Sequence, residues 1–323
     1  MASLLRTAAR LFYFTRNVTR DVAPQGLFRA SLAGKLEQAS RSGDTIRERV
    51  NYYNRLEHRF VPSPKAVRAG KLPSFGSMYY YDLKEFTRYF DRDLLIDIEF
   101  GDVINVPKVP AAVKDRPIRE GNGNAVIMNL DKFRHFNMPA DRLAFADKRP
   151  QVVWRGNFNN PIRKRFADAV RHLPFCDVGS PKPNAPEGYR KPYLTIPQQR
   201  EFRYIVSLEG NDVATNLKWI MCSNSLCLMP TPTYETWFAE ARLEANVHYA
   251  PLEPDFSDVA DKVAYFEKHP EEARRIIAAA NAYCHRFRNP RQEQLVSLLV
   301  LYKYFVLSGQ IEPAPEIWRY ITG

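Results

Sequence analysis

The sequence predicts an α/β protein with helical extensions at both ends. Three observations carry that prediction. Short apolar runs alternate with helical segments from Gln151 onward, long amphipathic stretches lie near both termini, and 323 residues with 45% apolar and 13% aromatic side chains suffice for one large or two medium cores.

Residues 1–60 read as a charged helical segment. On a wheel at about 100° per residue, Arg6, Arg10, Arg16 and Arg20 share one arc. Leu4, Ala8, Leu11, Phe12 and Val18 share the other, and no acidic residue precedes Asp21. Such a segment suits contact with an anionic membrane surface through residues 1–20. An organellar targeting peptide has similar chemistry, and an ordinary surface helix docked on its domain is the third reading. No apolar run approaches the roughly 18 residues of a membrane span. The expected location is therefore cytoplasmic, peripheral on the inner face of the membrane where residues 1–20 make that contact.

Val61–Ser77 is rich in proline, glycine and serine and reads as a connection. IDIEF, AVIMNL and VVWRG follow as short buried strands, separated by loops such as NVPKVPAAVKDRP. After VVWRG come the helical IRKRFADAVRHL, a proline-rich loop, the helical IPQQREFRY and the strand YIVSLEG, an alternation that argues for a parallel sheet covered by helices. The stretches from Asp258 to Phe287 and from Gln292 to Leu307 read as long amphipathic helices. The expected division is a helical basic segment 1–60, a half from 61–150, a second half from 151–290, and a C-terminal helix in 291–323 that crosses back.

Forty-seven Lys+Arg against 36 Asp+Glu give a net charge of +11, which points to anionic partners. The chain lacks a Cys/His finger spacing, an aromatic RNA-binding signature and a basic block of five, so no nucleic acid is expected among them. Cys176, Cys222, Cys227 and Cys284 form no CxxC pair and read as reduced core thiols.

The chemistry concentrates between Tyr204 and Leu252. There YIVSLEG ends a strand at glycine and hands over to NDVATNLKWIM, a helix start with polar residues and a lysine. Free backbone N–H groups at such a corner favour a phosphate, so a phosphorylated ligand is expected. WRGNFNNPIRKRF repeats the design: a strand, Gly156 and Asn157 in a turn, then a helix from Pro161 with Arg163 near its start.

SLEGNDVATNLKWIMCSNSLCLMP, YETWF and HYAPLEPDFSDV together resemble the CAP10-like glycosyltransferases of family 90, particularly the bacterial branch associated with lipopolysaccharide synthesis. The resemblance runs from about Phe100 to about Phe305. It implies a GT-B arrangement, two Rossmann-like halves facing a cleft, with the nucleotide held by the C-terminal half and acceptor and base by the other. It implies as substrates a nucleotide sugar, a UDP-hexose or UDP-pentose, and a glycan or lipid-linked glycan acceptor such as lipopolysaccharide core. Transfer would be inverting, with no cofactor and no metal.

Residue by residue, Arg155 and Arg163 match the arginines of the family's RGS…R element and inherit a donor-binding role with Gly156 and Asn157. Ala214, Thr215 and Asn216 open the next helix, where their N–H groups or side chains would meet phosphate or ribose, and Lys218 would add charge. Many eukaryotic relatives carry arginine where Asn216 stands, so the diphosphate charge must be met otherwise. Helix capping is the competing reading of Thr215 and Asn216, and a solvated helix face that of residues 163–165. Asp102, after an apolar strand and a glycine, matches the family's strand-end aspartate, the general base. From residue type alone it reads as a turn residue.

Asp91-Arg92-Asp93 spells the DxD of metal-dependent transferases, but without a clear preceding strand. His248 and Trp237 are placed either on the cleft or in the core. Two rival functions stand beside the transferase: a non-catalytic nucleotide-sugar or glycan-binding protein of the same fold, and a basic nucleic-acid-binding protein.

Overall fold

A computed structural model describes the backbone from Ala2 to Gly323 and side chains from Thr7 onward, so the side chains of Leu4 and Arg6 lie outside the described residues. The chain forms two compact units, each discontinuous in sequence. One comprises residues 1–133, 235–237 and 287–323, the other residues 134–234 and 238–286.

In the first unit the helices Ala2–Val22, Gln25–Ser40 and Asp44–Tyr53 precede a parallel three-stranded sheet ordered Ile98–Glu99, Ala111–Val113, Ala125–Ile127. Its organising element is the helix Pro290–Leu307, buried from Leu295 to Leu307. A helix apolar on all sides belongs in a core. Asn289 starts it by accepting from the N–H groups of Arg291 and Gln292, with proline at the first helical position.

Glu293 in its first turn accepts from buried Arg49 and from the Trp237 indole, which stacks on Tyr53 at 4.0 Å. Trp237 is thus a core residue. Arg116 and Glu235 form a second buried pair at 2.8 Å, anchoring residues 235–237 in this unit. A buried ion pair is tolerated when its geometry satisfies both charges.

The Ala2–Val22 helix docks on the helix Met78–Thr87. Tyr13 donates to Asp82 at 2.7 Å, Arg20 pairs with Glu85, and Asp21 accepts from Tyr80. Arg16 also reaches Glu85, so part of the arginine arc faces the protein while Leu11, Phe12 and Val18 stay exposed. No helix among the described residues is long and apolar enough to cross a membrane.

The second unit is built on a five-stranded parallel sheet ordered Ala250–Pro251, Leu226–Met229, Phe202–Val206, Arg149–Arg155, Cys176–Gly179. Helices Pro161–Val170 and Val259–Lys268 pack Phe166, Val170, Val263 and Phe266 into a core with Val152, Tyr204, Val206, Leu226 and Leu228 of the strands. Near-continuous burial of the strands is what coverage of both sheet faces requires. Cys222, Cys227 and Cys284 are buried and Cys176 is half-buried.

Candidate functional site

Numbered in chain order, the strands of the parallel sheet run 2-1-3-4-5 across the sheet. The order reverses between Arg149–Arg155 and Phe202–Val206. Loops leaving the carboxyl ends of two such strands diverge, and the crevice between them is where open α/β sheets bind ligands. The loops at this point are RGNFNN and SLEGND, the two segments singled out from sequence.

Arg163 and Asn160 lock these loops together. The Arg163 guanidinium donates through Nε to the Glu209 carbonyl (3.0 Å), through Nη2 to Leu208 (3.2 Å) and through Nη1 to Asn157 and Asn159. Asn160 caps the helix Pro161–Val170 and donates to the Gly210 carbonyl. Gly210 must be glycine for this, since a Cβ there would lie 2.8 Å from Arg163 Nη2. At Gly156 a Cβ would meet the Trp154 ring at 2.4 Å, so that glycine admits a core indole.

Beside the locked loops lies a cavity of about 400 Å³, within the range of small-molecule sites. The segments following three parallel strands wall it: Ser207 and Glu209, then Met229–Thr233, then Pro251–Pro254. Ile162, Ala214 and Leu217 add apolar surface, and Glu240 and Lys262 add charge. The Glu209 carboxylate accepts from Thr233 N (2.9 Å) and Oγ1 (2.5 Å), and burial pushes its pKa up. Arg165, exposed, donates to the carbonyl of Pro254 on the same rim.

The expected donor residues divide into two groups. Ala214 lines the cavity, while Asn157 lies in a loop beside it and Arg163 in the first turn of the helix that follows that loop. Arg155 is turned to internal work: its side chain donates to the Pro192, Trp154 and Asp177 carbonyls and to the Asp177 carboxylate at 2.7 Å. Asn216 occupies the cap position of the five-residue helix Leu217–Met221, yet its side chain donates back to the Val206 carbonyl rather than capping. Thr215 beside it is half-buried. Lys218 is wholly buried and pairs with Glu240, the carboxylate that lines the cavity wall.

In the first unit Asp102 follows Gly101, whose φ of 107° favours glycine. Its carboxylate is 37% exposed and accepts from the nearly fully buried Lys114 Nζ at 2.8 Å. The same ammonium lies 3.7 Å from Asp115, whose side chain is wholly buried and accepts from the Val103 N–H. Asp91 and Asp93 pair with Arg29 and Arg68 respectively. His248 Nδ1 accepts from the Glu244 N–H, a structural bond at the end of its loop.

Residues 126–293 match the model of glycosyl transferase family 90. Over 304 residues the chain is 42% identical to the O-glucosyltransferase LpsA of Dichelobacter nodosus, covering 92% of this chain and 96% of that protein. This chain belongs to glycosyl transferase family 90. Shorter stretches resemble animal proteins: 29% identity over 105 residues with protein O-glucosyltransferase 3 of Rattus norvegicus, 32% of this chain and 20% of that one. Protein O-glucosyltransferase 2 of Danio rerio is 26% identical over 83 residues, 26% of this chain and 16% of that one.

The glycosyltransferase carries every cavity residue inside the matched segment, whereas Asp102 and Asp115 precede it. Two groups escaped the reading of the sequence: Lys262 sits in a helix whose pattern signals only amphipathicity and Asp115 in a proline-rich loop, whereas Arg165 lies in the run that reads either as a phosphate corner or as a solvated face.

Proposed function

We propose that this glycosyltransferase moves glucose from UDP-glucose to a hydroxyl of a surface glycan such as lipopolysaccharide core, by an inverting single displacement that needs no metal. The observation that carries the proposal is the cavity at the carboxyl ends of three parallel strands, beside the switch point of the sheet and inside the family-matched segment. Near full-length similarity to an O-glucosyltransferase supports glucose as the sugar. The unit of residues 134–234 and 238–286 is assigned the donor role of a GT-B half, and the other unit the acceptor role.

The apolar walls suit the base, and the hydroxyl and carboxylate groups of Ser207, Thr231 and Glu253 suit the ribose and sugar hydroxyls. Charge developing on the departing diphosphate is met by Lys262 and Arg165, cations at the cavity wall and rim. Arg163 acts by holding the two loops, Arg155 by holding its strand end, and Lys218 by fixing Glu240. In the reaction a carboxylate takes the proton of the acceptor hydroxyl as its oxygen bonds to the anomeric carbon, and the bond from that carbon to the diphosphate oxygen breaks.

Asp102 is assigned as that base, because its carboxylate reaches solvent while Lys114 fixes its orientation. A second reading places the base at Asp115, the neighbouring carboxylate that lies 3.7 Å from the same Lys114 ammonium. The test is UDP release from UDP-glucose with truncated lipopolysaccharide as acceptor, chelator present, and NMR of the product. An inverted anomeric configuration and chelator-insensitive turnover are expected. Retention contradicts single displacement, and donor binding without release of UDP for any acceptor indicates a non-catalytic binder.

A further inference from the structure

The Ala2–Val22 helix meets its unit through one face only, with Tyr13, Asn17 and Asp21 turned inward. The opposite face is apolar. Leu11, Phe12, Val18 and Val22 are 68, 69, 48 and 81% exposed, and Leu27 on the following helix is 70% exposed. At about 100° per residue the outward arc from Val18 through Leu11, Val22 and Thr15 to Phe12 carries, among the described residues, no charged side chain. A surface helix ordinarily presents the reverse, polar side chains to water and apolar ones to the core.

Charge identifies what covers this face. Residues 1–35 hold six basic residues, Arg6, Arg10, Arg16, Arg20, Arg29 and Lys35, against one acidic residue, Asp21; Asp21 pairs with Arg88, Arg16 and Arg20 share Glu85, and Arg29 pairs with Asp91, so the basic residues outnumber the carboxylates they meet. Exposed Arg16 borders the apolar arc beside Phe12, and exposed Arg10 lies nearer the start of the helix on the arc of Asn17 and Asp21. We propose that this face lies in the headgroup region of an anionic phospholipid bilayer, its apolar side chains reaching the acyl boundary and its arginines meeting lipid phosphates. A second copy fits less well: one stripe of five side chains falls short of the roughly 800 Å² per partner of a standard interface, and two-fold pairing would set arginine against arginine. The proposal stands apart from the reaction assigned above.

The test is flotation of the full-length protein with phosphatidylcholine vesicles, with and without phosphatidylglycerol. Wild type is expected to float with the anionic vesicles and only weakly with the neutral ones. Phe12→Ser/Val22→Ser should lower binding at least tenfold with an unchanged melting temperature. Arg10→Gln/Arg16→Gln should lower it about tenfold on anionic vesicles alone. If the serine variant unfolds, Phe12→Trp replaces it, and the fluorescence of the introduced indole should be quenched by brominated lipids. Wild type that does not float, a folded serine variant that floats like wild type, or an indole that brominated lipids leave unquenched in Phe12→Trp overturns the proposal. So does a dimer dissociated by Phe12→Ser/Val22→Ser in a protein that ignores vesicles.

Discussion

Lys262 and Asp102 are the residues on which the proposed chemistry turns. Lys262→Met should raise the donor KM tenfold or more with little change in stability, because the ammonium sits at a cavity wall and is only half-buried. Steady-state kinetics beside a thermal melt checks this. Asp102→Asn should abolish transfer while leaving donor binding intact, and transfer lost only in Asp115→Asn would move the base to the buried carboxylate. Asp102 became a candidate through the family resemblance, because from residue type alone an aspartate after a strand-end glycine reads as a turn residue. Lys262 was not legible, because the cavity wall gathers segments far apart in sequence and no single window contains it.

Gly210→Ala separates positioning from folding. The added methyl meets only the end of the Arg163 side chain, which can swing away at small cost. Stability should fall by less than about 1 kcal/mol, while donor affinity should drop severalfold as the two loops lose their tie. Unchanged calorimetric affinity would show that the tie is irrelevant to the ligand.

At the scale of elements, strand and helix alternation after Gln151 made the parallel sheet legible, but not its order. The 2-1-3-4-5 arrangement, which fixes the crevice, depends on which strands pair across long connections. Strands Ala111–Val113 and Asp115–Pro117 were hidden in a stretch that prolines mark as loop. Lys218 looked available for a phosphate, yet the run LKWIM has no polar face and the whole helix is buried. Lys218→Met leaves the Glu240 carboxylate without its ammonium and should cost about 3–5 kcal/mol, measured as a shift in urea midpoint. Lys218→Met/Glu240→Gln should recover part of that loss.

The buried helix Pro290–Leu307 carries a pH signature. Burial holds the Lys303 ammonium down from the usual 10.5 to about 8, although it donates to Asn51 and the Asn54 carbonyl. Between those values the unfolded chain binds more protons at this site than the folded chain. Its contribution to stability therefore rises with pH across the window, is complete above the unfolded pKa, and is lost as pH falls through the folded one. Lys303→Met should flatten this rise in urea midpoints taken across alkaline pH, and an unchanged profile would contradict the assignment.

At the scale of the whole molecule, a family 90 glycosyltransferase is formed from two units whose segments interleave along the chain. The return of residues 235–237 to the first unit was invisible in sequence because YETWF reads as one local stretch; Glu235 and Trp237 are claimed by Arg116, Glu293 and Tyr53, more than a hundred or about fifty residues away. The central claim, that the cavity beside the switch point holds a nucleotide sugar, is tested most directly by calorimetric titration of the full chain with UDP-, GDP-, ADP- and CMP-sugars, repeated on Thr231→Trp, whose indole would fill the cavity from an exposed wall position. Saturable binding of UDP-glucose that is lost in folded Thr231→Trp is the predicted result. Binding unaffected by the filled cavity, or no binding of any nucleotide sugar by the wild type, would contradict it.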